Sequence, residues 1–514
     1  MEARELLLGI DVGGGGVKVG AFNLDGRLVA LATEPLELSF PGPGWAESHP
    51  GDWLEKIRIC MDRIKEKIRD REVVGIGLSN MCPSLVALND AGEPLRPAIL
   101  YLDTRSWQEA SAIQERRPLE WFLQESGNRV AAGTISGTSI RWLKEHEPEV
   151  YRSTRFFGHA NTYLAGALTG RFGIDYSNAS LTGLFNQRTT LKWSPTLCGA
   201  YEVEMTKLPE LIPSHERVGR LDERGAEILG LRTGIPVAMG GADSACSAFA
   251  AGITEEGDVF ETSGTSDVLA VCFAKPLFEA RFLNRCHVVP GRWLGMGAMV
   301  AVGAAFRWAR DVLGSTEKHV AELSGLDAYD VLCAEAARSR PGARGVVFLP
   351  YMSGERSPIW DPHARGIFFG LHLKTTKNDL IRAVLEGGSY GLKANLEVAE
   401  ELLGREVKTI AVVGKGGKND FWAQLRADIT GKEIRVLEFH ETAVLGAAML
   451  GGMAAGVYGD YKDALRAAVK GYKSYFPNYQ NKDIYKAAYK LYKSLYPRLK
   501  DCFRELKEIE AQYY

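Results

Sequence analysis

Two stretches of this 514-residue chain repeat one another half a chain apart, and the repetition restricts the fold more than any other feature. Near the start, apolar Leu6–Ile10 runs through Asp11 into the glycine turn Gly13–Gly16 and then into a second apolar run, Val17–Phe22. Past the middle, Asp258–Phe273 has the same form, with Ser263-Gly264-Thr265-Ser266 as its small-residue turn. Apolar runs bounded by turn residues read as strands of a hairpin. Two such hairpins, each opening about half of the chain, predict two related α/β domains, 1–252 and 253–514, with a ligand in the cleft between them.

The placement of the glycines in hairpins has a chemical consequence. Dinucleotide fingerprints and Walker A loops open helices, whereas Asp11–Lys18 sits between strands, so neither motif is present. Four consecutive glycines leave backbone N–H groups uncovered, which suits phosphate. Lys18 can add charge and Asp11 can hold Mg²⁺ through water. A flexible hairpin with a solvated lysine is the plain alternative.

The segment Pro236–Ser266 carries the other candidate chemistry. Asp243 lies among Gly240, Gly241, Ala242, Ser244 and Ala245, so other atoms can approach its carboxylate closely. An acid able to take a proton, beside a turn able to hold phosphate, is what phosphoryl transfer from ATP to an alcohol requires. Alone, the same residues also read as a helix cap and a tight turn.

Other segments fit around these two. Apolar residues at 53, 54, 57, 60, 61, 64 and 68 predict a helix over Trp53–Arg69. Val73–Leu78 is a buried strand, and Ser79-Asn80-Met81-Cys82-Pro83-Ser84 at its end suits a substrate-reading loop. Asp103 and Arg105 follow another strand end, either as sugar-hydroxyl ligands or with Asp103 capping a helix from Ser106. No chemistry is assigned over 118–215. Strand–turn–helix patterns recur around Gly303 and Arg307 and around Gly414–Asn419. Glu441–Val457 is a helix so rich in Ala and Gly that something can lie very close to it. Tyr485, Tyr489, Tyr492 and Tyr496 form a core-facing helical stripe, which Pro497 is expected to break.

Composition narrows the partners. Net charge is −2 with no basic block, which points away from nucleic acid and from anionic membranes. The start of the chain reads as neither a signal peptide nor a membrane span, and the eight cysteines include no CxxC, as in a reduced cytoplasmic protein.

Taken in order, the motifs resemble the FGGY carbohydrate kinase family in its xylulokinase-like branch. The string FLPYMSGERSPIWDPHARGIFFG from Phe348 carries this most specifically, followed by GKGGKNDFWAQLRADITGKEI from Gly414, the Asp243 segment and Ser263–Ser266. The resemblance implies a two-domain actin/Hsp70/hexokinase-like ATPase fold made of duplicated ribonuclease H-like domains. It implies ATP-dependent phosphorylation of a terminal hydroxyl of a small ketose, most of all a pentulose such as xylulose. Asp243 would be the catalytic base and Asp11 the magnesium site. Gly13, Gly14, Gly15 and Lys18 would form a first phosphate loop, and Gly264 with Thr265 a second. Gly303 and Arg307 would line the nucleotide site, and Gly416, Gly417 and Asn419 the adenosine pocket. Met81, Cys82, Asp103 and Asp243 are the substrate-site candidates, and Glu355 with Arg356 would be buried structural partners. Expected partners are ATP and a sugar, with a homodimer as one option for assembly.

Two departures stand out. Gly14 and Gly15 replace hydroxyl residues usual in the family's first loop, and the sugar loop has neither the histidine of xylulokinases nor the Arg–Glu pair of glycerol kinases. Kinases of another ketose, a polyol or a sugar acid, and a catalytically weak sugar or nucleotide sensor, are the alternatives.

Overall fold

The structure is a computed structural model that describes residues 4–468 and 471–513. The opening hairpin forms as the sequence predicts: Glu5–Gly13 pairs antiparallel with Gly16–Asn23, Gly13 opposite Gly16 and Asp11 opposite Lys18. Leu28–Pro35 adds antiparallel to the second strand, and Glu72–Asn80 lies parallel to the first. Pro236–Ala238, Arg217–Arg220 and Gly241–Ala242 complete a seven-stranded sheet.

The second hairpin builds a second seven-stranded sheet on the same plan. Val259–Ser263 pairs antiparallel with Asp267–Phe273, which pairs antiparallel with Trp293–Met299. On the other side Thr409–Val413 runs parallel to Val259–Ser263, and Glu433–Leu437 runs parallel in turn. Each sheet therefore has a central hairpin, antiparallel neighbours on one flank and parallel neighbours on the other. Parallel neighbours need long crossovers, and helices supply them.

Helix Pro50–Ile68 covers the first sheet, burying Trp53, Ile57, Cys60 and Ile64 at the predicted spacing. Full burial of each is worth about 1.5–3 kcal/mol before chain entropy is charged. Helix Lys377–Leu403 lies over the second sheet within the largest apolar core. The C-terminal helix runs from Lys482 to Tyr513 straight through Pro497, contrary to expectation. Tyr485, Tyr489, Tyr492 and Leu495 before the proline and Phe503 after it all enter one core. Shared burial on both sides outweighs the hydrogen bond that Pro497 cannot donate.

Helix Thr442–Ala454 joins the halves. A Cβ on Gly9 would lie 2.0 Å from the Val444 carbonyl oxygen, and one on Gly77 would lie 1.8 Å from that of Ala447. Glycine in the first sheet thus lets a helix from the second half rest directly on the strands that carry Asp11 and Ser79. No described helix is long and apolar enough to cross a membrane.

Candidate active site

Asp11 lies two residues before the end of its strand, with Lys18 across one edge and Ser79 alongside on the other. Ser79 Oγ donates to Asp11 Oδ1 at 2.7 Å. The carboxyl is 4% exposed. Burial and the neighbouring Asp243 push it up to about 6, against the pull of Lys18 and Ser79. Lys18 Nζ donates to Glu441 Oε2 at 2.5 Å. Burial works against that ammonium, but Asp11, Glu441 and Asp243 outweigh it and hold the lysine charged.

Asp243 opens helix Asp243–Ala250, directly after Gly241–Ala242 runs beside Ser79 and Asn80. Gly240 permits the turn: its φ is +75°, and a Cβ there would meet the Leu78 carbonyl oxygen at 2.0 Å. The Asp243 side chain accepts from Ser244 N at 2.6 Å. Burial raises its pKa, while Arg285, the Ser244 amide and Lys18 restrain the rise. Among the described residues no ion pair within 4 Å locks it. A partly exposed carboxylate beside cations, and tied to none of them, can accept a proton.

The expected nucleotide residues converge on the second hairpin turn. Gly303 is the second residue of helix Val302–Val312, and a Cβ there would fall 1.8 Å from the Gly264 carbonyl oxygen. Ala304 N donates to Thr265 O at 2.9 Å, and an Arg307 guanidinium N–H donates to Thr265 Oγ1 at 2.9 Å. A Cβ on Gly416 would strike Ser263 Oγ at 2.0 Å, and one on Gly417 would come 3.0 Å from Val412. Buried Arg426 braces the turn from behind, donating to Glu261, Ser263 and the Gly416 carbonyl. Asn419 caps helix Asp420–Thr430, accepting from the amides of Phe421 and Trp422 and donating to Asp330 at 2.6 Å. Its side chain shapes that turn.

The sugar-loop candidates separate. Cys82 is half-buried, its thiol 3.7 Å from His159 Nδ1 and pushed up to about 12 by burial. Met81 is 1% exposed and packs into the first core, so its side chain serves the loop from behind. Asp103 is fully buried, accepting from Ala46 N at 2.7 Å and pairing with Arg105, itself bonded to Glu47. With those partners it has no oxygen facing a ligand. Nor does it cap the following helix: the N-cap of Trp107–Glu115 is Ser106, with no side-chain cap bond. The expectation of a sugar ligand at Asp103 fails because a nearby guanidinium claimed both of its oxygens.

Residues without an assignment in the sequence reading support the loop. His159 bonds Ser136 Oγ at 2.9 Å and Asn178 Oδ1 at 3.1 Å, and Asn178 also meets Asn80. Burial drives His159 down to about 4, so it is neutral at pH 7. Tyr101 lies under the first turn, 3.0 Å from where a Gly14 Cβ would be. Glu441 had a sequence signal in its place at the head of the small-residue helix. Arg285 and Asn178 had none.

The N-terminal domain model of the FGGY family of carbohydrate kinases matches residues 6–250, and the C-terminal domain model matches 260–455. The chain belongs to the FGGY family of carbohydrate kinases. It is 31% identical to a xylulose kinase of Staphylococcus epidermidis over 486 residues, 94% of each chain. It is 29% identical to a gluconokinase of Bacillus subtilis over 451 residues, 88% of each. The fold matches the xylulose kinase of Rhodospirillum rubrum with a TM-score of 0.88 at 28% identity, covering 97% of this chain and all of that one. This FGGY protein is therefore an ATP-dependent carbohydrate kinase, and the two sheets described above are those of the family's two-domain fold.

Proposed function

We propose that this FGGY kinase phosphorylates a terminal hydroxyl of a ketopentose, D-xylulose first among them, with Asp243 as base. The observation that carries the reading is Asp243 itself, partly exposed, in no ion pair among the described residues, and in the electrostatic neighbourhood of Asp11, Lys18 and Arg285. As the hydroxyl oxygen attacks the γ-phosphorus of ATP, its proton passes to Asp243. The new O–P bond forms as the bond to ADP breaks. Such a transition state is loose, so positioning counts for more than base strength. The Gly13–Gly15 and Ser263–Ser266 turns are the proposed phosphate loops, the Gly264 amide donating within its turn to Ser266 O and Asp267 Oδ1, with Arg307 and the Glu441-paired Lys18 as the cations assigned to them. The Gly414–Gly417 turn suits the adenosine, and Asn419 holds that turn in shape.

The donor set also fits Mg²⁺. Burial and the neighbouring Asp243 oppose ionisation of Asp11, and a divalent cation held by Asp11, through water, would relieve that repulsion. When bound it would neutralise charge on the phosphates. We also propose 252/253 as the boundary between the two domains, between the first sheet and the strand Val259–Ser263 that opens the second.

The test is turnover of purified protein with ATP, Mg²⁺ and a panel of D-xylulose, D-ribulose, glycerol and D-gluconate. D-Xylulose should give the highest kcat/KM. The likeness to a gluconokinase makes a sugar acid the second reading, and preferred turnover of D-gluconate would establish it. Asp243→Ala should lower kcat by about 10²–10⁴ while leaving the Kd for ATP within a few-fold. Near-normal turnover of that variant would remove Asp243 as base.

A further inference from the structure

Arg285 sits on the short strand Leu283–Cys286 of the second sheet, yet its side chain reaches Ser244, the residue after the acid that starts the last helix of the first half. Its neighbours are stitched across the domain boundary. Asn284 N donates to Asn128 Oδ1 at 2.8 Å, Asn128 Nδ2 returns a bond to Asn284 O at 2.7 Å, and Cys286 N donates to Ser180 Oγ at 2.9 Å. The residue between them is held at both ends.

The guanidinium is 2% exposed. One terminal N–H₂ donates to Ser244 Oγ at 3.0 Å, the Cys82 thiol is a second, weak hydrogen-bond neighbour, and Asp243 and His159 are electrostatic neighbours. Among the described residues no carboxylate lies within 4 Å of it, and Nε is buried without a hydrogen-bond partner. A buried guanidinium that lacks both an ion pair and a partner for Nε is costly to maintain by itself. It becomes reasonable where a ligand completes its bonding.

We propose that Arg285 is an acceptor-binding residue, its Nε–H donating to an oxygen of the sugar that neighbours the attacking hydroxyl. Ser244 holds the guanidinium, and the stitched strand carries it among Ser244, Cys82 and His159 of the first half. Acceptor specificity is then read from both domains at once, so a sugar lacking that oxygen leaves a buried donor unmatched and binds poorly. The inference rests on the reading of Asp243 as the base at the acceptor site.

The experiment compares wild type, Arg285→Lys, Arg285→Met and Ser244→Ala, using D-xylulose as probe. Melting curves identify which variants fold. Titration calorimetry without nucleotide gives the sugar Kd, and steady-state kinetics gives both KM values. Lysine keeps the charge but has no donor at the Nε position, so Arg285→Lys should weaken sugar binding about tenfold or more. Arg285→Met should do at least as much, and the KM for ATP should stay within about twofold in both. Ser244→Ala should show a smaller change in the same direction. If Arg285 only tunes the charge on Asp243, Arg285→Lys keeps wild-type sugar affinity while Arg285→Met shifts the acid limb of the pH–kcat profile. That result overturns the proposal. Should Arg285→Met not fold, the sugar affinity of Arg285→Lys and Ser244→Ala decides alone. A wild type that binds D-xylulose, with Asp243→Ala inactive and Arg285→Lys unchanged, overturns this inference only. A wild type that binds no acceptor of the panel overturns the reading of the site along with it.

Discussion

Gly14 and Gly15 look equivalent in the sequence and are not equivalent in the fold. A side chain on Gly15 would meet nothing within 4 Å, whereas one on Gly14 would press on the Tyr101 hydroxyl at 3.0 Å. A hydroxyl restored at 15 therefore has room to reach a phosphate, and a hydrogen bond to a charged acceptor is worth about 1.5–3 kcal/mol. Gly15→Thr should tighten ATP binding about tenfold by titration calorimetry, and Gly14→Thr should gain less because Tyr101 must give way. An unchanged Kd for Gly15→Thr would show that the backbone amides suffice. Glu355 makes the second case. Paired with Arg356 in the sequence reading, it instead accepts from the amides of Val300 and Arg356, and no ion pair joins the two among the described residues. Burial pushes its carboxyl up to about 8 from an ordinary 4.5. Unfolding between those values releases a proton, so this group's contribution to stability is full below 4.5 and is lost as pH rises through 8. The slope is at most about 1.4 kcal/mol per pH unit. Glu355→Gln should flatten the decline in urea-unfolding stability across that window; an unaltered slope would mean the carboxyl ionises freely in place.

At the scale of elements, the glycines of helix Thr442–Ala454 and of the strands beneath it set the distance between the halves. A Cβ on Gly446 would lie 2.1 Å from the Cys246 carbonyl oxygen, in the helix that begins with Asp243. Gly446→Ala forces that helix pair apart, and overpacking of this kind costs about 1–3 kcal/mol. The melting temperature should fall by roughly 5 °C. Gly199, on helix Pro195–Tyr201, has nothing within 4 Å of its Cβ position. Gly199→Ala should leave the melting temperature unchanged or raise it slightly, since alanine gives up less backbone entropy. Equal losses in the two variants would refute the close-approach account. The small-residue pattern of 441–457 was legible in the sequence as a demand for a close neighbour. Which surface met that demand was not, because nothing local distinguishes the first sheet from the second. Pro497 teaches the reverse lesson: a strong local breaker yielded to aromatic burial on both of its sides.

Across the whole molecule, two copies of one sheet plan pack on shared helices, and the candidate site lies where the central hairpins meet those helices. The sequence alone determined the hairpins, their glycine turns, the helix spacing and the family motifs, because these are written in residues a few positions apart. It placed Asp11, Asp243 and the Ser263–Ser266 turn among the candidates on the same ground. Tertiary structure decided which charges met. Lys18 found Glu441 from the far end of the chain, Arg285 crossed from the second sheet to Ser244, and Asp103 was claimed by Arg105. Electrostatic and hydrogen-bond partners are chosen by distance in space and by the loss of water around them. Neither quantity exists until the chain has folded.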